Sequence, residues 1–353
     1  MKNIAIDFSH LGDLCGFGNI AKNFSKTLVE ACPTDFHLIF VVPERFVGTF
    51  GNNVDYVRRE QIRKDLARLN KPIHLWHATD QQFRYRHRSP ETIQLLTVHD
   101  LNFLYEKKYF RKWRHQLKLK WDVKKSDYIT VISHYVQKEM AAHVDMSRKG
   151  CTVIHNGIDD PDVSKAERPD FIGRAEEKFF FTIGQIREKK NFHKLIPMMR
   201  YFPDYKLFIC GDDHFKYARE LRRLIDEHGQ GRCILVGKID ESHKIWLYQH
   251  CRGFFFPSRL EGFGIPVLEA MRFRCKVFAS RLSSLPEVCG HYADYWEHFE
   301  PEYMANVVKN GLVSWDRNSR KADEIVDYAL SFNYESYTKQ YISLYRKLLA
   351  ERL

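Results

Sequence analysis

Glu261 and Glu269 stand eight residues apart in the segment FPSRLEGFGIPVLEA, with Gly262-Phe263-Gly264 and then Pro266 between them. Glycines let a backbone approach a ligand closely and take dihedrals that other residues avoid. Proline suits the first position of a helix, where its missing N–H would have no partner. Gly264 and Ile265 are therefore expected to present N–H groups at a helix N-terminus. That is a site for a phosphate or another anion. Glu269, one turn in, is placed to accept from a ribose or sugar hydroxyl. Glu261, in the loop, can hold a second sugar-like group. An ordinary strand–loop–helix with two solvated glutamates would need none of the accompanying features.

Other residues qualify by type and place. His99 closes the apolar run Thr92–Val98 in the sequence Thr97-Val98-His99-Asp100-Leu101. Lys190 sits in a basic run with Arg187 and Lys189, so any of the three could meet an anion. Cys15-Gly16-Phe17-Gly18 follows the first apolar run as a glycine-containing turn. Asp160-Pro161-Asp162 has the form of a metal-binding D-x-D, but it lies in a turn-rich stretch where Asp and Pro have an easier explanation. The eight cysteines show no C-x-x-C and no zinc-ligand spacing. They read as reduced thiols of a cytoplasmic protein. No metal and no cofactor are expected.

These residues need elements to hold them. Candidate strands are Asn3–Phe8, Phe36–Val42, Ile73–Trp76, Thr92–Val98 and Tyr128–Ile132, then Phe179–Ile183, Lys206–Cys210, Cys233–Val236, Gly253–Phe256 and Lys276–Ala279. The core runs are nearly continuously apolar, as strands buried on both faces of a parallel sheet are. Segments of helical spacing lie between them, such as Ile20–Ala31 and His134–His143. The alternation predicts an α/β fold. Asn156–Lys178 is rich in turn residues and reads as a linker. The expected domains are 1–160 and 161–333, followed by an amphipathic helix over 334–353 that packs back towards the first domain. Ligand loops should lie at the carboxyl ends of the strands.

The chain has 353 residues and a net charge of +11. Its composition excludes disorder as the main state. No run approaches a membrane span, and the first residues lack the pattern of a signal peptide. The charge surplus points to an anionic partner. Its densest block is Tyr105–Lys125, with nine basic and two acidic residues. Trp113, Leu117 and Trp121 recur there every four residues. Such a helix can lie on an anionic membrane surface, or its apolar stripe can pack on the sheet while the basic side faces water. No RRM, KH or helix-turn-helix signature supports nucleic-acid binding, and no nucleic-acid partner is expected.

The Glu261–Glu269 block resembles the E-x7-E motif of family 4 of the retaining glycosyltransferases. Thr97–Leu101 is similar to that family's T-x-H-D-L, and Ile154–Asp159 to its I-x-N-G-[IV]-D. Val131–Ser133, Gly184 with Lys190-Asn191, Cys210–Asp212, Leu235–Gly237 and Ser331–Glu335 agree in order and spacing. The resemblance implies the GT-B fold, two Rossmann-like domains facing each other across a cleft. It also implies a nucleotide-diphosphate sugar as donor, bound mainly by the second domain, and a glycan or lipid-linked glycan as acceptor, bound mainly by the first. Transfer would retain the anomeric configuration, without a covalent nucleophile or a metal. Residue by residue, Lys190 would contact the diphosphate beside Gly264 and Ile265, and Glu269 the ribose. Glu261 with the Gly262, Phe263 and Gly264 backbone would hold the sugar. His99 would sit near that sugar, Ile239 near the base, and Gly16 and Gly18 under the phosphate and acceptor region. Gln185 stands where many members have Arg, so that charge is either missing or supplied elsewhere, by Arg187 or Arg259. GDP-mannose is preferred over a UDP-sugar, because T-x-H-D-L-x-F-L is common in mannosyltransferase-like members. A cell-surface polysaccharide or lipopolysaccharide is the expected product. The alternatives are a GT-B enzyme making a soluble glycan or sugar phosphate, and a basic nucleic-acid-binding protein.

Overall fold

The structure is a computed structural model that describes residues 1–13, 16–106, 109–160, 162–173, 178–313 and 315–351. Cys15 and Pro161, named above, lie outside the described residues, as do Lys107 and Lys108 of the basic block and 174–177 of the linker. The chain forms two compact units, Met1–Asp159 with Phe332–Leu353, and Asp160–Ser331.

The first unit is built on seven parallel strands: β1 Lys2–Asp7, β2 Phe36–Val42, β3 Val54–Arg58, β4 Leu75–Ala78, β5 Ile93–Val98, β6 Tyr128–Val131 and β7 Gly150–Val153. Their order is β3-β2-β1-β4-β5-β6-β7. Helices α1 Gly16–Glu30, α2 Ile62–Leu69, α3 Phe103–Glu106, α4 Tyr109–Lys125 and α5 His134–His143 connect them. Ile4 pairs with Leu38 on one side and Leu75 on the other, so β1 is central. The order reverses between β1 and β4. At such a switch point the loops leave the sheet in opposite directions, and open α/β sheets bind ligands there.

The second unit repeats the plan with six parallel strands: β8 Phe179–Ile183, β9 Lys206–Cys210, β10 Cys233–Gly237, β11 Gly253–Phe256, β12 Val277–Ser280 and β13 Ala293–Trp296. The order is β10-β9-β8-β11-β12-β13, with its switch between β8 and β11. Its helices are α6 Leu195–Met198, α7 Lys216–His228, α8 Glu241–His250, α9 Ile265–Arg272, α10 Leu285–Cys289, α11 Pro301–Val313 and α12 Arg320–Leu330. Phe180, Phe255, Phe278 and Trp296 fill its core, the first two stacked with ring centroids 4.4 Å apart.

The chain then returns to the first unit. Ile158 bridges to Asn333, and Asn333 caps α13, Tyr334–Ala350, by accepting from the Ser336 N–H at 2.8 Å. Tyr337, Tyr341 and Tyr345 of α13 are buried in one core with Phe8, Phe24 and Leu38. The Tyr345 hydroxyl lies 2.7 Å from His77 Nδ1, and His77 Nε2 lies 2.8 Å from Thr97 Oγ1.

Three strands escaped the sequence reading. β3, β7 and β13 are only partly buried, so they lack the continuous apolar run of a central strand. The strand expected at Ile73–Trp76 runs instead over Leu75–Ala78, where fully buried His77 disguises it. Gly16 is the first residue of α1 rather than part of a preceding turn. The seven described cysteines are all free, five buried, with Cys32 and Cys151 half-buried. No helix among the described residues is long and apolar enough to cross a membrane.

The packing expected for the basic helix is overturned. Trp113, Leu117 and Trp121 are 52%, 45% and 50% exposed. α4 is seated instead by Leu119, Asp122 and Val123. Leu119 and Val123 form their own i,i+4 pair, and that pair takes the inward face.

Candidate active site

In the second unit the expected residues gather at the switch point. β11 delivers the loop to Glu261, and β8 delivers Gly184 and the short helical turn Glu188–Lys190. Lys190 Nζ donates to Glu261 Oε1 at 2.6 Å, and the two side chains are only 11% and 12% exposed. The ammonium also lies 4.7 Å from the Phe256 ring centroid, a cation–π contact. The Glu261 loop is fastened by Ser283 and Ser284. The Glu261 N–H donates to Ser283 Oγ at 3.1 Å, while Ser284 Oγ donates to the carbonyls of Glu261 and Phe263.

Gly264 is the N-cap of α9 with φ +112°, and Pro266 stands in the first turn. A Cβ at Gly264 would meet Leu285 at 2.7 Å, so both the dihedral and the space demand glycine. Because Pro266 has no N–H, the amides of Gly264 and Ile265 carry the start of the helix and its partial positive charge.

Glu269 sits further along α9 and is 15% exposed. Its Oε1 accepts from Lys244 Nζ at 3.1 Å and its Oε2 from the Tyr248 hydroxyl at 3.0 Å. Burial opposes charge on Lys244, but Glu269 and Glu241 outweigh it and raise its pKa. One lone pair on each Glu269 oxygen is thereby committed, which fixes the plane of the carboxylate and leaves the others for a ligand. Lys244 and Tyr248 are site residues that no motif in the sequence marks; they reach Glu269 because α8 lies beside α9.

The remaining second-unit candidates divide. Gln185 is exposed. Arg187 is half-buried, its guanidinium 4.2 Å from the Phe215 ring centroid. Arg259 reaches Glu188 at 3.2 Å. Ile239 is half-buried between β10 and α8. Gly262 and Phe263 lie in the loop between Glu261 and the Gly264 cap.

In the first unit the residues after β1, β4 and β5 converge. His99 Nε2 lies 2.7 Å from the Thr79 carbonyl. A carbonyl only accepts, so Nε2 carries the proton. Burial lowers the His99 pKa and keeps the ring neutral, leaving Nδ1 as an acceptor. His10 lies between two carboxylates, 2.7 Å from Asp13 and 3.2 Å from Asp80. The Asp80 hydrogen bond raises its pKa most, burial opposes this, and Asp13 adds to the rise. Phe17 stacks on His10 and sets its edge against His99, with ring centroids 5.3 and 4.7 Å away. A Cβ at Gly18 would lie 1.8 Å from the Asp13 carbonyl oxygen, so glycine is what lets this loop cross the first turn of α1.

Two family models match, "Glycosyltransferase Family 4" over residues 32–161 and "Glycosyl transferases group 1" over 164–330. The chain carries a glycosyltransferase family 4 domain followed by a glycosyltransferase group 1 domain. It is 27% identical over 222 residues to the O-antigen chain mannosyltransferase RfbU of Salmonella typhimurium, across 62% of this chain and 60% of that one. It is 33% identical over 143 residues to the serotype-specific mannosyltransferase WbdA of Escherichia coli, across 38% of this chain and 17% of that one. The chain thus spans less than two thirds of either relative. Sucrose-phosphate synthase from Thermosynechococcus elongatus superposes with a TM-score of 0.74 at 18% identity, over 99% of this chain and 100% of that one. That likeness shows the GT-B fold. The group 1 match contains both Glu261 and Glu269 as well as Lys190.

Proposed function

We propose that the protein transfers a hexose from a nucleotide-diphosphate sugar to a glycan acceptor, free or lipid-linked, in the assembly of a cell-surface polysaccharide or lipopolysaccharide. The observation that carries this reading is the second unit's switch point. There Lys190–Glu261 and Lys244–Glu269–Tyr248 flank the start of α9, inside the region matched by the family model. The names of both relatives support mannose as the sugar, and with it GDP-mannose as the donor.

The chemistry follows from charge. The bond between the sugar's anomeric carbon and the diphosphate breaks as an acceptor hydroxyl oxygen bonds to that carbon from the same face, its proton passing to the departing phosphate oxygen, and negative charge grows on the leaving group. Lys190 and the α9 N-terminus meet that charge. Lys190 then gives up part of its contact with Glu261, whose carboxylate becomes free to accept from a sugar hydroxyl. Glu269 takes the ribose hydroxyls on the lone pairs that Lys244 and Tyr248 leave open.

Retention without a covalent nucleophile is part of the same reading. Glu269 stays paired with Lys244 and Tyr248, and Glu261, as Lys190 turns to the diphosphate, takes a sugar hydroxyl, so both carboxylates are engaged in holding hydroxyls rather than in attack. Metal independence belongs to it as well. Asp162 caps Ser164, and Asp160 pairs with Arg272, so both aspartates of the D-x-D serve local structure.

Incubation with GDP-mannose and a lipid-linked acceptor should yield a mannosylated product whose anomeric configuration, read by NMR coupling, matches the donor's. A chelator should leave the rate unchanged. An inverted product would overturn retention, and a chelated enzyme revived only by added Mn²⁺ would overturn metal independence.

A further inference from the structure

The face of α4 turned away from its seat carries an unusual surface. Tyr109, Phe110, Trp113, Leu117 and Trp121 are all exposed, from 45% for Leu117 to 87% for Tyr109. At about 100° per residue these positions fall in one arc of roughly 120°. Leu119, Asp122 and Val123, which seat the helix, lie on its other side. An apolar patch of this kind on a folded surface marks an interaction site.

The charge on the same helix is one-sided. Arg111, Lys112, Arg114, Lys118, Lys120, Lys124 and Lys125 stand against a single carboxylate, Asp122. Asp122 is fully buried and held by Lys118 at 3.0 Å, so the helix shows no negative charge to solvent. By helical spacing Lys120 and Lys124 fall inside the aromatic arc, and Arg114 and Lys125 flank it. Lys125 Nζ lies 5.9 Å from the Trp121 ring centroid.

We propose that α4 docks the protein on an anionic lipid bilayer. The helix lies in the plane of the surface. Tyr109, Phe110, Trp113 and Trp121 sit at the boundary between headgroups and acyl chains, and Lys120 and Lys124 reach lipid phosphates. Tyr and Trp favour that boundary because one end of the ring system is polar and the other apolar. Lysine stems cover apolar surface while the ammonium stays in the headgroup layer. Aromatic rings, cations and no exposed carboxylate match a sheet of anionic headgroups over hydrocarbon.

The test uses the full chain and two vesicle preparations, phosphatidylcholine alone and an equal mixture of phosphatidylglycerol and phosphatidylcholine. The protein should sediment with the mixed vesicles and stay in solution with the neutral ones. Its tryptophan emission should shift to the blue and be quenched by brominated acyl chains. The variant Phe110→Ser/Trp113→Ser/Trp121→Ser should lose at least roughly tenfold in partitioning. Its circular dichroism and melting temperature should be unchanged, because the three side chains are exposed. Lys120→Gln/Lys124→Gln should weaken binding and flatten its salt dependence. The proposal fails if the native chain ignores the anionic vesicles. It fails equally if the triple serine variant partitions like the native chain, if the face proves to join two copies in solution with no vesicle binding, or if nucleic acid binds in place of vesicles.

Discussion

Glu269 is held by two side chains from the neighbouring helix, and the nature of that hold is testable. Lys244→Met keeps the volume of the stem and removes the cation. The buried carboxylate then loses a charge-assisted bond. Affinity for a nucleoside diphosphate should fall roughly tenfold or more, with the circular dichroism spectrum unchanged. Lys244→Arg, which keeps the charge, should recover part of the loss. Equal affinity in Lys244→Met would show that Tyr248 alone orients Glu269. At this scale the sequence was readable where the signal is local. Glu261, Gly264, Pro266 and Glu269 lie within nine residues and announce a turn and a helix start. Lys244 and Tyr248 become site residues only because α8 packs beside α9, and no local pattern encodes that packing.

At the scale of elements, α13 is the clearest dependency. Tyr341 is fully buried, and its hydroxyl lies 3.2 Å from Thr97 Oγ1 and 3.1 Å from Thr130 Oγ1. Those two hydroxyls also bond each other at 2.7 Å. Tyr341→Phe should therefore cost only about 1 kcal/mol, since neither threonine is orphaned. Tyr341→Ala leaves a ring-sized cavity and should cost about 4 kcal/mol. Urea unfolding followed by circular dichroism separates the two; similar losses would mean that the hydroxyl network rather than packing holds α13. The helix itself was legible, because its tyrosines recur at helical spacing. β3, β7 and β13 were not, because an incompletely buried strand has no need of a continuous apolar run. The stripe on α4 misled for the converse reason. Periodicity shows that a face exists, and only packing shows which of two faces turns inward.

At the scale of the whole molecule, acid stability and donor binding give two independent readings. Burial drives the His77 ring down to about 3, with His99 adding to the shift. The unfolded chain takes up a proton on this ring below about pH 6.5. The folded chain does not until about pH 3. Stability therefore falls as the pH drops through that window, by roughly 5 kcal/mol. In His77→Gln the fall should be shallower by a similar amount, read from urea midpoints at a series of pH values. An unchanged slope would place the acid sensitivity elsewhere. The two-unit organisation was legible from the alternation of strand and helix and from the turn-rich stretch between. A nucleotide-sugar donor held in the second unit through Glu269 and Lys190 should be visible to calorimetry. In titrations of the full chain with GDP-mannose, UDP-glucose and ADP-glucose, one donor, GDP-mannose, should bind saturably, and its binding should weaken roughly tenfold to a hundredfold in both Glu269→Ala and Lys190→Ala. Binding of no nucleotide sugar, or undiminished binding in both variants, would overturn the proposed function.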